Sequence, residues 1–254
     1  MVTTADPAER RYRSSLAAGA GIQPGTFDHP ATIVLPESSR AGWGFAAAYH
    51  VNRATVIRVD PDLAHMVAEL AHPTHAHQTD HLQRWANDRR WNFVTGGDIH
   101  LIDALTRLPT ATPDGATPVT LDRHNPADRD LIAELASACT DDDVDAAELE
   151  LDSLDPLIVA LLAADGSLGA YSSAGPWIDD GQFDDIGVLV NPNCRGLGWG
   201  LSAVAKLCAR SIEAGRFPIY RCNWDRLASK ALCTKLGFRR VSHITAIGPE
   251  IPSD

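Results

Sequence analysis

The run Ile186-Gly187-Val188-Leu189-Val190-Asn191-Pro192-Asn193-Cys194-Arg195-Gly196-Leu197-Gly198-Trp199-Gly200-Leu201 constrains the fold more than any other stretch of the 254-residue chain. Ile186 to Val190 is short, apolar and rich in β-branched residues, the pattern of a buried strand. Asn191-Pro192-Asn193 ends it, because proline fixes its own φ and carries no N–H. Glycines then alternate at positions 196, 198 and 200. From Leu201 the apolar residues fall at Val204, Leu207, Cys208 and Ile212, a helical period.

That order has a chemical consequence. The first turn of a helix holds amide N–H groups with no internal acceptor, and the positive end of its dipole lies there. Glycines ahead of the turn let the backbone come close to a ligand. Together they make a cradle for a diphosphate, and Arg195 adds a cation beside it. A connection without a ligand has little reason to carry alternating glycines, each of which weakens a helix start by about 1 kcal/mol. The dinucleotide fingerprint is excluded because the third glycine comes one residue early. The triphosphate loop G-x-x-x-x-G-K-[ST] is absent.

What remains is Val188-x-Val190-x-Pro192 followed by Arg195-x-x-Gly198-x-Gly200, which resembles motif A of the GNAT superfamily of N-acetyltransferases. Downstream, Ser229-x-x-Leu232-x-x-Lys235-Leu236-Gly237-Phe238 resembles the ending of the same family. The resemblance covers residues 116–254 and says nothing about 1–115. It implies an α/β (α+β) fold, a mixed central sheet flanked by helices, with acetyl-CoA as co-substrate, direct transfer to an amine and no metal. By that resemblance the backbone of Val188, Leu189 and Val190 holds the pantetheine arm. An N–H near Leu189 or Val190 faces the thioester oxygen. Arg195, Gly196, Leu197, Gly198, Trp199, Gly200 and Leu201 hold the pyrophosphate, and Ser229 reaches the coenzyme. In the family the central strand bulges and splays from its neighbour. Family bases are often acids on that strand, here Asp184 and Asp185, of which alternation puts one on the substrate face. The position of the family's tyrosine general acid is Cys233, and its asparagine is Arg226; both are departures. Asn223-Trp224-Asp225 falls beside the expected cleft, where Trp224 either walls a tunnel or packs.

The remaining elements fit that order. In 116–254 the pattern predicts a strand at 119–121, a helix from Pro126, a short helix capped by Asp141-Asp142-Asp143, and strands at 157–163, 167–174, 182–190, 216–222 and 239–247. Helices from 201 and over 225–236 separate the later strands. Asp165-Gly166 makes a hairpin turn. Leu108 to Pro118 reads as a linker, dividing a 1–115 α+β module from a 116–254 acetyltransferase domain. The first half reads as a ragged arm to about residue 30, strands at 31–35 and 54–59, and a helix opened by Asp60-Pro61 with Leu63, Met66, Val67 and Leu70 on one face. A second helix runs through Leu82, Trp85 and Ala86, and more apolar material lies at 91–95 and 99–105. His72, His75, His77 and His81 have spacing that could supply metal ligands, but Pro73 and the lack of a nearby cysteine favour a polar interhelical loop, and no metal is assigned.

Charge and thiols narrow the partners. A net charge of −11 argues against nucleic acid or an anionic membrane. The segment between the first two helices of 116–254 is acidic (Asp141, Asp142, Asp143, Asp145, Glu148, Glu150, Asp152, Asp155), which suits a cationic acceptor as well as a plain solvated face. Five cysteines with no C-x-x-C pair fit reduced thiols and a cytoplasmic setting. The N-terminus lacks a signal-peptide pattern, and the longest apolar run, Leu157 to Ala164, is too short to cross a bilayer. The expectation is an acetyl-CoA-dependent N-acetyltransferase acting on a primary amine, its first half assisting acceptor recognition or homodimerisation. Its rivals are a non-catalytic acyl-CoA-binding or regulatory module and an enzyme using a longer acyl donor.

Overall fold

A computed structural model describes residues 7–71, 79–103, 106–147, 157–177 and 181–249. Its contacts divide the chain into two compact units: 1–100 with 221–227 and 240–254, and 101–220 with 228–239.

The first unit holds α1 (Pro7–Gly19), β1 (Ala31–Pro36), β2 (Ala46–Val51), β3 (Ala54–Val59), α2 (Ala64–Val67), α3 (Thr79–Asp88) and β4 (Trp91–Leu101), completed by late strand residues. The strand order is β1-β3-β2 followed by the last strand, 239–249, and then β4. Within the segment read as a ragged arm, Pro7–Gly19 is helical: Ala8, Tyr12 and Leu16, spaced by one turn, are buried, while Arg10 and Arg11 are exposed. Its stripe holds one tyrosine and one leucine among small residues, so its apolar signal is faint. β2, also unanticipated, is buried at all of its residues although three are alanine. It lies between two antiparallel partners, whose cover outweighs alanine's poor strand propensity. The helix expected from Asp60-Pro61 is broken into a 3-10 turn, one α turn and another 3-10 turn. Val67 and Leu70 are buried as expected, but Met66 is exposed. The two apolar pieces at 91–95 and 99–105 belong largely to one strand, β4. His72, His75 and His77 lie outside the described residues, as does the His81 side chain.

The second unit holds β5 (Thr117–Val119), α4 (Pro126–Ser137), α5 (Asp141–Ala146), β6 (Leu157–Leu162), β7 (Leu168–Trp177), β8 (Phe183–Val190), α6 (Trp199–Glu213), β9 (Phe217–Asn223) and α7 (Leu227–Leu236), with β10 (Arg239–Pro249) passing to the first unit. The order from residue 117 is the β-α-α-β-β-β-α-β-α-β that the sequence suggested. The sheet runs β5-β6-β7-β8-β9, antiparallel except for the β8–β9 pair. On one face Ile132 and Leu135 of α4, with Leu121, pack in one cluster with Tyr171 of β7 and Leu189 of β8. On the other, Trp199 and Ala203 of α6 pack on Leu161 and Ala170.

Candidate active site

β8 pairs with β7 along its whole length in an unbroken register, Trp177 opposite Phe183 through Ala170 opposite Val190. The expected bulge in β8 is therefore not there. The splay is: pairing with β9 covers three positions, Phe183–Phe217 to Asp185–Ile219, and Ile186–Val190 run on past it. The Asn191 N–H donates to Gly169 O at 3.0 Å. By antiparallel alternation Leu189 also turns its N–H and C=O to β7, whereas Val188 and Val190 turn theirs to the side that β9 has left.

Beyond the strand the chain is cut into a turn by its own side chains. Asn191 Oδ1 accepts from the Asn193 N–H at 3.0 Å, and Pro192–Cys194 form a 3-10 turn. Gly196 and Gly198 have φ of 75° and 86° with nothing near where a Cβ would stand. Their left-handed backbone is the reason for glycine there. Gly198 is the N-cap of α6, which begins at Trp199, two residues earlier than the sequence pattern suggested. The first helical bond runs from the Ser202 N–H to Gly198 O at 3.0 Å. The six N–H groups from Gly196 to Leu201 make no backbone hydrogen bond among the described residues. Gly200 serves packing: a Cβ there would stand 2.9 Å from Val190 Cγ2 and 3.6 Å from Leu232 Cδ1. The Trp199 side chain is buried against Gly169, so only its main chain faces the turn. Leu197 is exposed at the tip.

Arg195 is not a free cation. Its Nη2 donates to Asp143 Oδ2 at 3.0 Å and its Nε to Val190 O at 3.3 Å. Asp143 closes a capping box with Thr140, the residue that caps α5 in place of the expected aspartates. The Thr140 hydroxyl, and then Arg195, hold the Asp143 carboxyl below its ordinary range, while Asp143 raises Arg195 further. The Cys139 thiol donates to the same Val190 O at 3.6 Å, and burial pushes that thiol up. At the other end of α5, Ala147 O sits 2.4 Å from the place of a Cβ on Gly187. A glycine inside a strand signals such an approach, and Thr140-x-x-Asp143 signals the box; both signals are present in the sequence.

The two strand acids separate. Val188 and Val190 face α6, so Asp184 does too; Asp185, with Gly187 and Leu189, lies on the α4–α5 face. Asp184 is 1% exposed and accepts from Arg216 Nε at 2.9 Å, an ion pair that fixes the end of the sheet. Asp185 is half-buried. On α7, Leu232 reaches Gly200, Ser229 lies one turn before it and half-buried, and Cys233 is buried. Trp224 packs within the first unit, stacked on Phe93 at 5.8 Å with its indole N–H on Asp98 Oδ1 at 3.2 Å. Of the acidic segment, Asp141, Asp142 and Asp145 are exposed on α5, and Glu148, Glu150, Asp152 and Asp155 lie outside the described residues.

No protein-family model and no curated protein matches the sequence. Solved structures do match the fold. A GCN5-related N-acetyltransferase from Sphaerobacter thermophilus aligns with a TM-score of 0.57 at 13% identity, over 97% of this chain and 94% of its own. A Drosophila protein aligns at 0.50 and 13% identity, over 94% and 87%. A tandem GNAT protein from the clavulanic acid biosynthesis pathway aligns at 0.50 and 16% identity, over 72% of this chain and 62% of its own, so this chain spans less than two thirds of its length. By these alignments the mixed sheet and helices that carry the open end of β8 and the glycine turn have the fold of the GNAT N-acetyltransferases.

Proposed function

We propose that the chain is an acetyl-CoA-dependent N-acetyltransferase that transfers acetyl directly to a primary amine of a small cationic or peptide acceptor. The observation that carries this is the run of N–H groups from Gly196 to Leu201, without backbone acceptors, at the end of a strand whose edge is open. Two phosphates suit the first feature, and an extended amide-bearing arm suits the second. Gly196 to Leu201 would hold the pyrophosphate, with Arg195 beside it. Val188 and Val190, whose polar groups face the open side, would pair with pantetheine. Leu189 contributes its side chain to the core beneath. Ser229 on α7 borders the same end of the strand.

Acetyl-CoA supplies the activated acyl group; the chain's task is to orient an amine, take its proton and steady the oxyanion. Of the two acids, Asp185 is the candidate base, because it lies on the α4–α5 face of β8, the face on which the aspartates of α5 lie, whereas Asp184 faces α6. The N–H of Val188 or Val190 is the candidate oxyanion donor. Cys233 is the candidate proton donor for the leaving thiolate. The exposed aspartates of α5 favour a cationic acceptor. Residues 116–254 form the proposed acetyltransferase domain, and 1–115 the module that assists acceptor recognition or homodimerisation. The free thiols fit a cytoplasmic setting, and no helix among the described residues is long and apolar enough to cross a membrane.

Titration calorimetry with coenzyme A, followed by mass-spectrometric detection of acetylated product across an amine panel with acetyl-CoA and longer acyl donors, tests the reading. Binding with turnover on a cationic amine is expected. The buried thiol at the usual tyrosine position favours one rival, an acyl-CoA-binding module, for which binding without turnover would speak. Absence of any binding removes both.

A further inference from the structure

Three groups meet where β8 ends. Arg195 reaches Val190 O and Asp143, Cys139 reaches Val190 O, and Thr140 reaches Asp143. Each acceptor has a second donor. If Arg195 leaves, Val190 O keeps the Cys139 thiol at 3.6 Å and Asp143 Oδ2 keeps the Thr140 hydroxyl at 2.7 Å. The Arg195 side chain is 47% exposed, so it has room to turn. Nothing buried is orphaned by its departure, which makes this contact releasable in a way that Arg216–Asp184 is not. The same α5 is seated over Gly187 by its C-terminal carbonyl, covering the α4–α5 face of the open strand.

We propose that Arg195 and Asp143 form a coenzyme-sensitive latch: phosphate at the glycine turn draws Arg195 away from Asp143, and α5 is thereby loosened over the face of β8 where an acceptor would lie. This rests on the coenzyme reading of the turn and adds its coupling to the acceptor side. The sign follows from charge. A half-exposed carboxylate–guanidinium pair is weakly held, whereas a bond to a phosphate is strong. Asp143 also repels any anion at the turn. By linkage, whatever coenzyme does to α5, α5 does to coenzyme.

The experiment uses the full chain, coenzyme A as the probe, hydrogen exchange over 140–147 and calorimetry. In the wild type, exchange over 140–147 should rise on adding coenzyme A. Asp143→Asn, which retains an oxygen for the Thr140 cap, should exchange fast without coenzyme, respond little to it, and bind it roughly fivefold tighter. Thr140→Ala, which loosens the cap but leaves the ion pair, should exchange faster yet keep its response. Unchanged or falling exchange in the wild type, or weaker binding by Asp143→Asn, overturns the latch while leaving the coenzyme site standing. No heat from either protein overturns the latch and the acetyltransferase reading together.

Discussion

Replacing Gly187 by alanine asks whether α5 is truly seated on β8. In the interior of a strand with ordinary backbone angles, Gly→Ala normally stabilises by about 0.4–1 kcal/mol, because the unfolded chain loses freedom. Gly187 is such a position, its φ not being among the positive ones. The new Cβ, however, would stand 2.4 Å from Ala147 O and 3.5 Å from Ala147 C. To restore ordinary contact the carbonyl must retreat by about 1 Å, and overpacking of this kind costs about 1–3 kcal/mol. Ala147 has little freedom to yield, since it is buried and its N–H is bonded to Asp143 O at 3.0 Å. The expected net effect is a loss of about 1–2 kcal/mol, a reversal of the usual sign. Urea unfolding followed by circular dichroism measures it, with Gly25→Ala, which meets nothing within 4 Å, as the control that should not lose stability. Hydrogen exchange over 140–147 should quicken in Gly187→Ala alone. A Gly187→Ala protein as stable as the wild type, with α5 exchange unaltered, would refute the seating of α5 on this strand.

Arg216→Ala should cost about 3 kcal/mol or more in urea unfolding, because it leaves the Asp184 carboxylate, 1% exposed, without its guanidinium. Adding Asp184→Asn in that background should recover much of the loss, and failure to recover it would mean that Asp184 is satisfied by other groups. His50 is held neutral by burial and then by His243, its pKa pushed down to about 3. An unfolded histidine takes a proton near pH ~6.5. The unfolded chain therefore binds the extra proton between those values, and stability falls as the solution is acidified through that window, by up to about 1.4 kcal/mol per pH unit from this site. His50→Gln should flatten that slope when urea midpoints are compared near neutrality and near pH ~5; an unchanged slope would place the acid sensitivity elsewhere.

The second unit was legible because its signals are local. Asn191-Pro192, Asp165-Gly166 and Pro126 punctuate the chain through backbone restrictions that tertiary context seldom overrides, and the strands between them are dense in β-branched residues. The first unit resisted for the opposite reason. β2 is strand because two neighbours hold it, not because Ala46-Ala47-Ala48 prefers to be extended, and α1 buries Ala8 and Tyr12 behind a front of arginines. At the candidate site, the glycine turn was visible in the sequence, but the division of labour within it was not. Gly196 and Gly198 are there for backbone angle and Gly200 for helix-on-strand contact, a difference that only φ and neighbouring atoms reveal. Arg195 reads as a free charge in the sequence because its partner, Asp143, lies 52 residues away in an acidic helix start.

The first unit recruits its fourth strand from far along the polypeptide: Ser242–Ile247 of β10 pair with Val51–Ala46 of β2. Synthesis proceeds from the N-terminus, so β2 leaves the ribosome long before the segment that covers its edge exists. During that interval the whole of the second unit's sheet can assemble, whereas the first must wait with one flank of β2 unpaired. The edge of β2 is thus the surface that a holding chaperone would have to shield until Ser242–Ile247 arrive.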